Sequence, residues 1–451
     1  MPIVPPRDAD IVVVGAGAAG IFAALAARGA LDARGGMAAP APDAPRVLIL
    51  DSKATVGRKI LISGGGRCNA TNAFVTDRDF DSDAPHVVRG LLAGFPVEAV
   101  RRFFADRGCA LVEEPIGKLF PREGGAKGVL AALIGALDAA GVERAFGEEV
   151  REISREREGW RIGEGRFRRV VIATGGRSIP QTGSAGFGYA LAASLGHAVV
   201  EPVPALAALR GGTPEAFSGT TLPAILTVAD TEGRVLRRAA GSLLFTHRGV
   251  SGPAALDASF GVARALREGR PFTVRADLWT LADPSGPWGP WLALPKPPGS
   301  CLPDCPNPAE PHAVDRHILD ASKRDPRLPL GAFLAERLPR RLVDALVPAR
   351  SVPLGRLSRE QRRGTAHTVA ALDLGVTGTE GFEKAEVTAG GVPLRELDRR
   401  TLESRLAPGL HFCGEVCHAT GRLGGFNFQW AWSSGFAAGR GAAAACASGV
   451  G

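Results

Sequence analysis

Lysine, tyrosine and methionine are scarce in this chain of 451 residues, and cysteine is sparse and odd in number. Only seven of the 54 basic residues are lysine, so the net charge of +8 is carried almost wholly by arginine, a skew that with abundant Ala, Gly and Pro reads as coding bias in a GC-rich genome. A single tyrosine and no RNP-like aromatic pattern leave no stacking platform for single-stranded RNA. The arginines are scattered along the chain, so the pI of about 9.4 permits an anionic partner without pointing to one, and no stable nucleic-acid partner is expected. Seven cysteines with no basic leader ahead of them exclude a disulfide scaffold and point to a reducing cytoplasm. An uninterrupted membrane span is also missing. The apolar stretch from Ile11 to Leu31 is long enough, but Gly15, Gly17 and Gly20 divide it into a β-rich and an Ala-rich half. No metal is expected, because Cys301-x3-Cys305 and Cys413-x3-Cys417-His418, with His312 and His317, lack ligand spacing.

What the chain does have is 45% hydrophobic and 22% charged residues, enough to bury the cores of two or three domains. Ile11–Val14 reads as a buried strand, Gly15–Gly20 as a glycine turn and Ile21–Arg28 as a helix. A Gly, Ala and Pro loop at 34–45 then leads to a strand, Arg46 to Leu50, that ends in Asp51. Residues 57–72 read as a loop throughout, and Pro96–Arg107 and Gly128–Ala140 as helices. Val150–Ile153, Trp160–Ile162 and Arg166–Val170 read as meander strands, and Val170–Ala173 as a buried one. Beyond residue 200, Ala224–Ala229, Arg234–Arg238, Ser242–Phe245 and Phe272–Ala276 pattern as antiparallel strands, with a helix at Pro253–Glu268. Residues 283–311 form a Pro-rich loop, His317–Leu346 is helical, and the chain closes with a strand at Gly409–Cys413 and a helix at Asn427–Ala445.

Gly15-Ala16-Gly17-Ala18-Ala19-Gly20 is a dinucleotide fingerprint in its proper setting, after a strand and opening a helix. The first glycine allows the turn, the second lets backbone approach a pyrophosphate, and the third lets the helix pack on the sheet. Asp51 stands where a carboxylate accepts ribose hydroxyls. Near the other end, Gly414-Glu415 follows a strand and Gly424-Gly425-Phe426-Asn427 opens a long helix. Both termini therefore build one nucleotide domain, as flavin proteins do, and the second helix start would favour the electron-rich N1–C2=O edge of a reduced flavin. Between them, Ser63-Gly64-Gly65-Gly66-Arg67-Cys68-Asn69 presents main-chain amides to a flat ring or phosphate, with Arg58, Lys59 and Arg67 supplying positive charge.

The run from Gly57-Arg58-Lys59-Ile60-Leu61-Ile62-Ser63 through Asn69-Ala70-Thr71-Asn72 resembles the signature of the BaiN-like, aminoacetone-oxidase-like family of FAD-binding bacterial flavoproteins. Thr246-His247-Arg248-Gly249-Val250-Ser251-Gly252-Pro253, Thr388-Ala389-Gly390-Gly391-Val392 and Gly424-Gly425-Phe426-Asn427-Phe428-Gln429 extend the resemblance over most of the chain. It implies an α/β architecture: a split Rossmann-like FAD domain (1–200 and 387–451), an inserted β-rich, barrel-like domain (201–278 and 350–386), and a Pro-rich loop with a small helical subdomain (279–349). It also implies roles. Gly15, Gly17, Ala18 and Gly20 would hold the pyrophosphate, Asp51 and Lys53 the adenosine side, and Val150 the adenine through its backbone. Lys59, Ser63, Gly64, Gly66, Arg67 and Asn69 would border the flavin. Ala173, Thr174 and Gly175 would line the nucleotide, and Gly414, Glu415, Gly425, Phe426 and Asn427 the ribityl chain and ring. The chain departs from the family at Phe187, where an acid is usual, at Cys417-His418, where Leu-Asp is usual, and from about 279 to 315, where the likeness lapses.

The implied activity is FAD-dependent oxidation or reduction of a small molecule, with hydride passing between substrate carbon and flavin N5. One version reduces an enone-like compound with NAD(P)H as a transient donor, since the loop Gly183–Gly188 lacks a second fingerprint. Another oxidises an amine with oxygen, and a non-catalytic or RNA-related flavin-stabilised binding protein is the alternative from outside enzymology. No catalytic residue is assigned. His418 is a candidate acid or base near the flavin loop and His247 a candidate on the insert. Cys68, with no paired cysteine close in sequence, reads as an inert small residue, and Trp279, Trp288, Trp291, Trp430 and Trp432 as packing residues. The oligomeric state is left open.

Overall fold

The computed structural model describes residues 9–212, 215–282, 305 and 307–447. They fall into two compact units, one made of the residues up to Val203 and from Glu386 onward, the other of those from Pro204 to Ala385.

The first unit is built on a five-stranded parallel sheet in the order Leu410–Phe412, Arg169–Ile172, Ile11–Val14, Val47–Asp51, Glu143–Phe146. Ile11–Val14 is central because its four β-branched residues are buried on both faces, as a parallel strand covered by helices requires. The next helix, Ala18–Ala27, has strong helix formers and stops at Arg28 before Gly29, whose left-handed φ of 73° ends it. The strand Leu410–Phe412 joins the same sheet from the far end of the sequence, and the 22-residue helix Phe426–Ala447 follows it. This helix lies on Ala18–Ala27 with no side chains between the two at two places. A Cβ at Gly435 would lie 2.3 Å from the Ala19 carbonyl oxygen, and one at Gly439 would lie 2.1 Å from that of Ala23. Glycines one turn apart thus let two backbones touch.

In the second unit seven strands form one sheet in the order Leu372–Asp373, Phe272–Asp277, Thr221–Asp230, Val235–Thr246, Gly249–Ser251, Leu209–Gly211, Val376–Thr379. Its two edge strands are separated in the chain by Leu374 and Gly375 alone, so the sheet has to curl until its edges nearly meet. Leu374 N donates to Val274 O on one side, and Gly212 N donates to Gly375 O on the other. This is the β-rich, barrel-like body, filled by Leu226, Val228, Leu243, Phe245 and the helix Pro253–Arg267.

Several local expectations are corrected. The 57–72 loop contains a short helix, Arg58–Ile62, because Ile60 has a core to bury into. Val150–Ile153 is not a strand; the three-stranded meander runs Ser154–Glu156, Gly159–Ile162, Gly165–Phe167. Arg234–Arg238 and Ser242–Phe245 are one strand, Val235–Thr246, since Gly241 at φ 158° stays extended and does not break it. The helical stretch at 317–346 is three helices, Pro311–Arg324, Leu330–Ala335 and Arg340–Leu346, divided at Pro326, Pro329 and Pro339, which cannot continue a helix. A further helix, Arg359–Ala370, stands in a segment read as β-rich; Ser358 and Gln361 form its capping box. Most of the Pro-rich loop, with Trp288, Trp291 and Cys301, lies outside the described residues.

The close helix contact yields a stability prediction. Gly439→Ala pushes a methyl group into the Ala23 carbonyl and costs about 1–3 kcal/mol, read as a Tm lowered by about 2–4 °C per kcal/mol. Gly135→Ala, in open space on a different helix, leaves Tm unchanged or raises it.

Candidate functional site

The three fingerprint glycines are needed for three different reasons. Gly15 has φ 106°, and a Cβ there would lie 2.4 Å from the Ala173 carbonyl oxygen. Gly20 presses on Gly15, whose carbonyl oxygen would be 1.8 Å from its Cβ. Gly17 caps the helix in an ordinary extended conformation, and its Cβ would meet nothing within 4 Å. No protein atom explains Gly17. Its missing side chain keeps the helix start bare, where unbonded amides and the helix dipole favour an anion.

Asp51 ends its strand beside this turn. Its Oδ2 accepts from Ala16 N and its Oδ1 from Lys53 N, both at 2.8 Å. Burial raises its carboxyl pKa above the ordinary value, while those two amides oppose the shift. The Asp51 carbonyl accepts from Gly147 N and Glu148 N at 2.9 Å, which brings the segment leading to Val150 to the same sheet edge. Lys53 lies along Gly183. Ala173 N donates to Val14 O at 2.8 Å, so Ala173, Thr174 and Gly175 leave the sheet next to the glycine turn.

The second glycine loop has φ of 55°, 66° and 84° at Gly64, Gly65 and Gly66, and 58° at Cys68. Gly65 faces open space. Its positive residues already have partners: Arg67 pairs with Glu114 and lies 4.1 Å over the Phe120 ring, and Lys59 Nζ donates to Glu415 Oε2 at 2.7 Å and to Ser178 Oγ at 2.5 Å. Ser63 Oγ donates to Ile60 O, and Asn69 Oδ1 accepts from Leu119 N, so both side chains shape the loop. Burial pushes the Cys68 thiol up to about 12.

The C-terminal segments close onto these loops. Gly414, at φ 76°, donates its N–H to Ser434 Oγ at 3.0 Å, and its carbonyl accepts from Trp430 Nε1 at 2.9 Å. Glu415 Oε1 accepts from Thr388 N at 2.8 Å and from Ser178 Oγ at 3.1 Å. A Cβ at Gly425 would lie 2.3 Å from the Thr71 carbonyl oxygen. The Phe426 ring is fully buried against Phe80 and under Arg422. The Asn427 amide bonds both ways with the Gly421 backbone. Asn72 Nδ2 donates to Gly424 O at 3.0 Å, and Thr71 Oγ1 donates to Gln429 Oε1 at 2.6 Å. The side chains of Phe426 and Asn427 therefore build the wall, and what this helix start can offer a ligand is main chain.

Direct bonds thus join the 59–72, 173–178, 414–415 and 424–427 segments. Ser178, Thr388, Asn72, Gln429 and Ser434 serve this joint and were not picked out as site residues, although Thr388, Asn72 and Gln429 lie inside quoted motifs. Two helix starts, at Ala18 and Phe426, carry no acid in their first turns. The bare cradle at Gly17 suits a pyrophosphate, the open backbone at Gly65 suits a flat ring, and so the residues present fit FAD.

The chain matches the family described as HI0933-like protein Rossmann domain over residues 9–441. The chain belongs to this family. Among similar proteins, ribosomal RNA dihydrouridine synthase of Escherichia coli K12 is 32% identical over 440 residues, covering 95% of this chain and 96% of that protein. The protein of the same name in Haemophilus influenzae is 30% identical, over 94% and 96% of the two chains. The 3-dehydro-bile acid delta(4,6)-reductase of Clostridium scindens is 31% identical, over 96% and 98%. A solved 3-ketosteroid-delta4-(5alpha)-dehydrogenase of Rhodococcus jostii RHA1 aligns over 98% of both chains, with 16% identity and a TM-score of 0.46. The protein is accordingly a flavoprotein of the FAD-dependent oxidoreductase class.

The candidate acid–base groups are placed less suggestively. His418 is buried, its ring Nδ1 3.7 Å from Asp83 Oδ1, and its backbone N–H donates to Val392 O. Phe187 is half-buried at the start of helix Phe187–Ser194. His247 is exposed at the tip of a turn between two strands of the second unit. Trp430 and Trp432 are buried packing residues, and Trp279 is nearly so. Among the described residues no three His, Cys, Asp or Glu side chains converge as a metal site, and no helix is long and apolar enough to cross a membrane.

Two outcomes test the site. Gly17→Ala leaves the Tm of the FAD-free protein unchanged but weakens FAD binding tenfold or more, equal to about 1.4 kcal/mol or above, in a titration of apoprotein with FAD. Iodoacetamide at pH 8 leaves Cys68 unmodified in the folded protein by peptide mass spectrometry, because its buried thiol stays protonated.

Proposed function

We propose that the protein is an FAD-dependent reductase that saturates a carbon–carbon double bond conjugated to a carbonyl, with NAD(P)H as electron donor. What supports this reading is the pair of acid-free helix starts beside the glycine loop, whose main-chain amides would face the pyrophosphate and the ring edge. Such a site stabilises electron density on a flavin without supplying a nucleophile or a metal. Gly17 and Ala18 would hold the pyrophosphate, Asp51 the ribose, and the amides of Gly425 and Phe426 the ring edge.

Once reduced by NAD(P)H, a bound FAD would supply hydride from N5 to the substrate's β-carbon, and the α-carbon would take a proton from the protein or solvent. The relatives' names support this class over amine oxidation. Forming dihydrouridine saturates the uracil C5=C6 bond, which is conjugated to a carbonyl, and a delta(4,6)-reductase acts on alkenes of a steroid-like skeleton. Lys59, in the short helix that directly precedes the glycine loop in sequence and fixed by Glu415 and Ser178, would orient a carbonyl or deliver the proton.

The purified protein should be yellow, and mixing with NADH or NADPH without oxygen should bleach the flavin in stopped-flow absorbance. A conjugated enone, or a uridine-containing RNA, should then restore the oxidised spectrum. Loss of the reductase reading would follow from a flavin that neither nicotinamide bleaches. Lys59→Met should slow the reoxidation by substrate tenfold or more, while the rate of bleaching by NAD(P)H falls far less.

A further inference from the structure

The helical part of the second unit is the most basic portion of the molecule. Residues 310–370 carry twelve Arg or Lys against seven Asp or Glu, which is five of the chain's eight net positive charges. The acids there are largely engaged. Asp315 pairs with Arg362 at 2.5 Å, Asp320 with Lys323 at 2.8 Å and Asp344 with Arg350 at 3.4 Å, while Asp325 accepts from the amides of Arg327 and Leu328. Arg316, Arg327, Arg356, Arg359 and Arg363 are all exposed, and none has a carboxylate partner among the described residues.

Scattered in sequence, these five arginines lie on one layer made of two packed helices, with Arg316, Arg359 and Arg363, and the turns that adjoin them, with Arg327 and Arg356. Arg362 and Asp315 tie helix Arg359–Ala370 to helix Pro311–Arg324, and Arg363 and Arg316 each adjoin a member of that pair. At the end of the layer, Gly355 N donates to Pro326 O and Leu354 N to Leu328 O, both at 2.9 Å, which sets Arg356 beside Arg327. Arg359 opens the helix that follows. Exposed guanidinium groups on a rigid layer suit a chain of phosphates, which they contact through paired N–H donors. A membrane surface fits less well: within 310–370 the described residues expose one large apolar side chain, Leu319.

We propose that this layer is a docking surface for the phosphodiester backbone of RNA. The inference deepens the reductase reading, in which a uracil base is one of the two substrate classes, and it rests on that reading for its biological purpose but not for its test. It departs from the expectation, drawn from the scatter of arginines in sequence, that no stable nucleic-acid partner binds.

The experiment is fluorescence anisotropy of the full-length holoprotein with a fluorescein-labelled RNA hairpin carrying uridines in its loop, titrated at several salt concentrations. The expected result is a steep salt dependence whose log–log slope falls by about 0.7 to 0.9 for each arginine replaced by glutamine, with affinity at moderate salt reduced tenfold or more in the five-site variant. Single Arg→Gln variants, each lowering the slope by one step, keep the test decisive if the combined variant folds poorly. The control removes the same type of charge from the first unit, through Arg151→Gln, Arg157→Gln and Arg166→Gln, and should leave the slope unchanged. A wild-type slope in the five-site variant would overturn the proposal, as would an equal loss in the control, or binding to phosphatidylglycerol vesicles without binding to RNA. Because binding is read on the oxidised protein without turnover, a flavin that NAD(P)H fails to bleach would remove the reductase reading and leave this surface standing.

Discussion

The nucleotide site depends on the seating of one helix, Phe426–Ala447, against the first helix of the chain. Gly435 and Gly439 let it approach until main chain meets main chain at Ala19 and Ala23. At that separation its buried polar side chains reach backbone groups that would otherwise go unpaired. Ser434 and Trp430 bond the two sides of the Gly414 peptide region, Trp432 Nε1 donates to Ala70 O, and Gln429 bonds Thr71 and Phe95. A buried polar group left without a partner costs about 1–3 kcal/mol, so these bonds hold the loops in one geometry. The loops that border the cofactor space are shaped from behind.

That arrangement explains why glycine is required for unlike reasons at neighbouring positions. Gly15, Gly20 and Gly425 are excluded from bearing side chains by the protein itself, since Ala173, Gly15 and Thr71 occupy the space. Gly17 and Gly65 meet no such obstacle. Their lack of a side chain matters to what approaches from outside, and they mark the accessible floor of the site. Charge follows a similar division. Lys59 and Arg67 are paired with Glu415 and Glu114, whereas the oriented peptide groups at the two helix starts need no counter-ion and do not titrate.

Reduction of a conjugated alkene is compatible with a site of this kind, because the cofactor carries the electrons and the protein supplies orientation and a polarised environment. The second unit has two features of its own, a curled sheet whose edges are joined by Leu374 and Gly375, and a helical part rich in exposed arginines.

Much was legible in the sequence because it is written in short-range chemistry. The strand, glycine turn, helix and Asp51 could be read from residues 11–51, since each follows from neighbours a few positions apart. The pairing of Gly414-Glu415 and Gly424–Asn427 with that unit was also readable, as a strand end and a helix start are local signals. The first meander strand was placed a few residues early, the prolines that divide the long helical stretch were passed over, and the helix at Arg359–Ala370 was read within a β-rich segment, because hydrophobic spacing over short runs does not separate strand from helix until the core each buries into is known.

Only the tertiary structure decided which residues the site is made of beyond its motifs. Ser178 and Glu415 meet Lys59 across 119 and 356 residues of sequence, Thr388 bonds Glu415 in turn, and no spacing rule reaches that far. The same holds for charge: the sequence determined how many arginines the protein has, and the packing of two helices and their adjoining turns decided that five exposed ones, with no carboxylate partner among the described residues, share one layer. Local order is set by bonds between near neighbours, whereas function here rests on contacts that exist only after distant segments have been brought together.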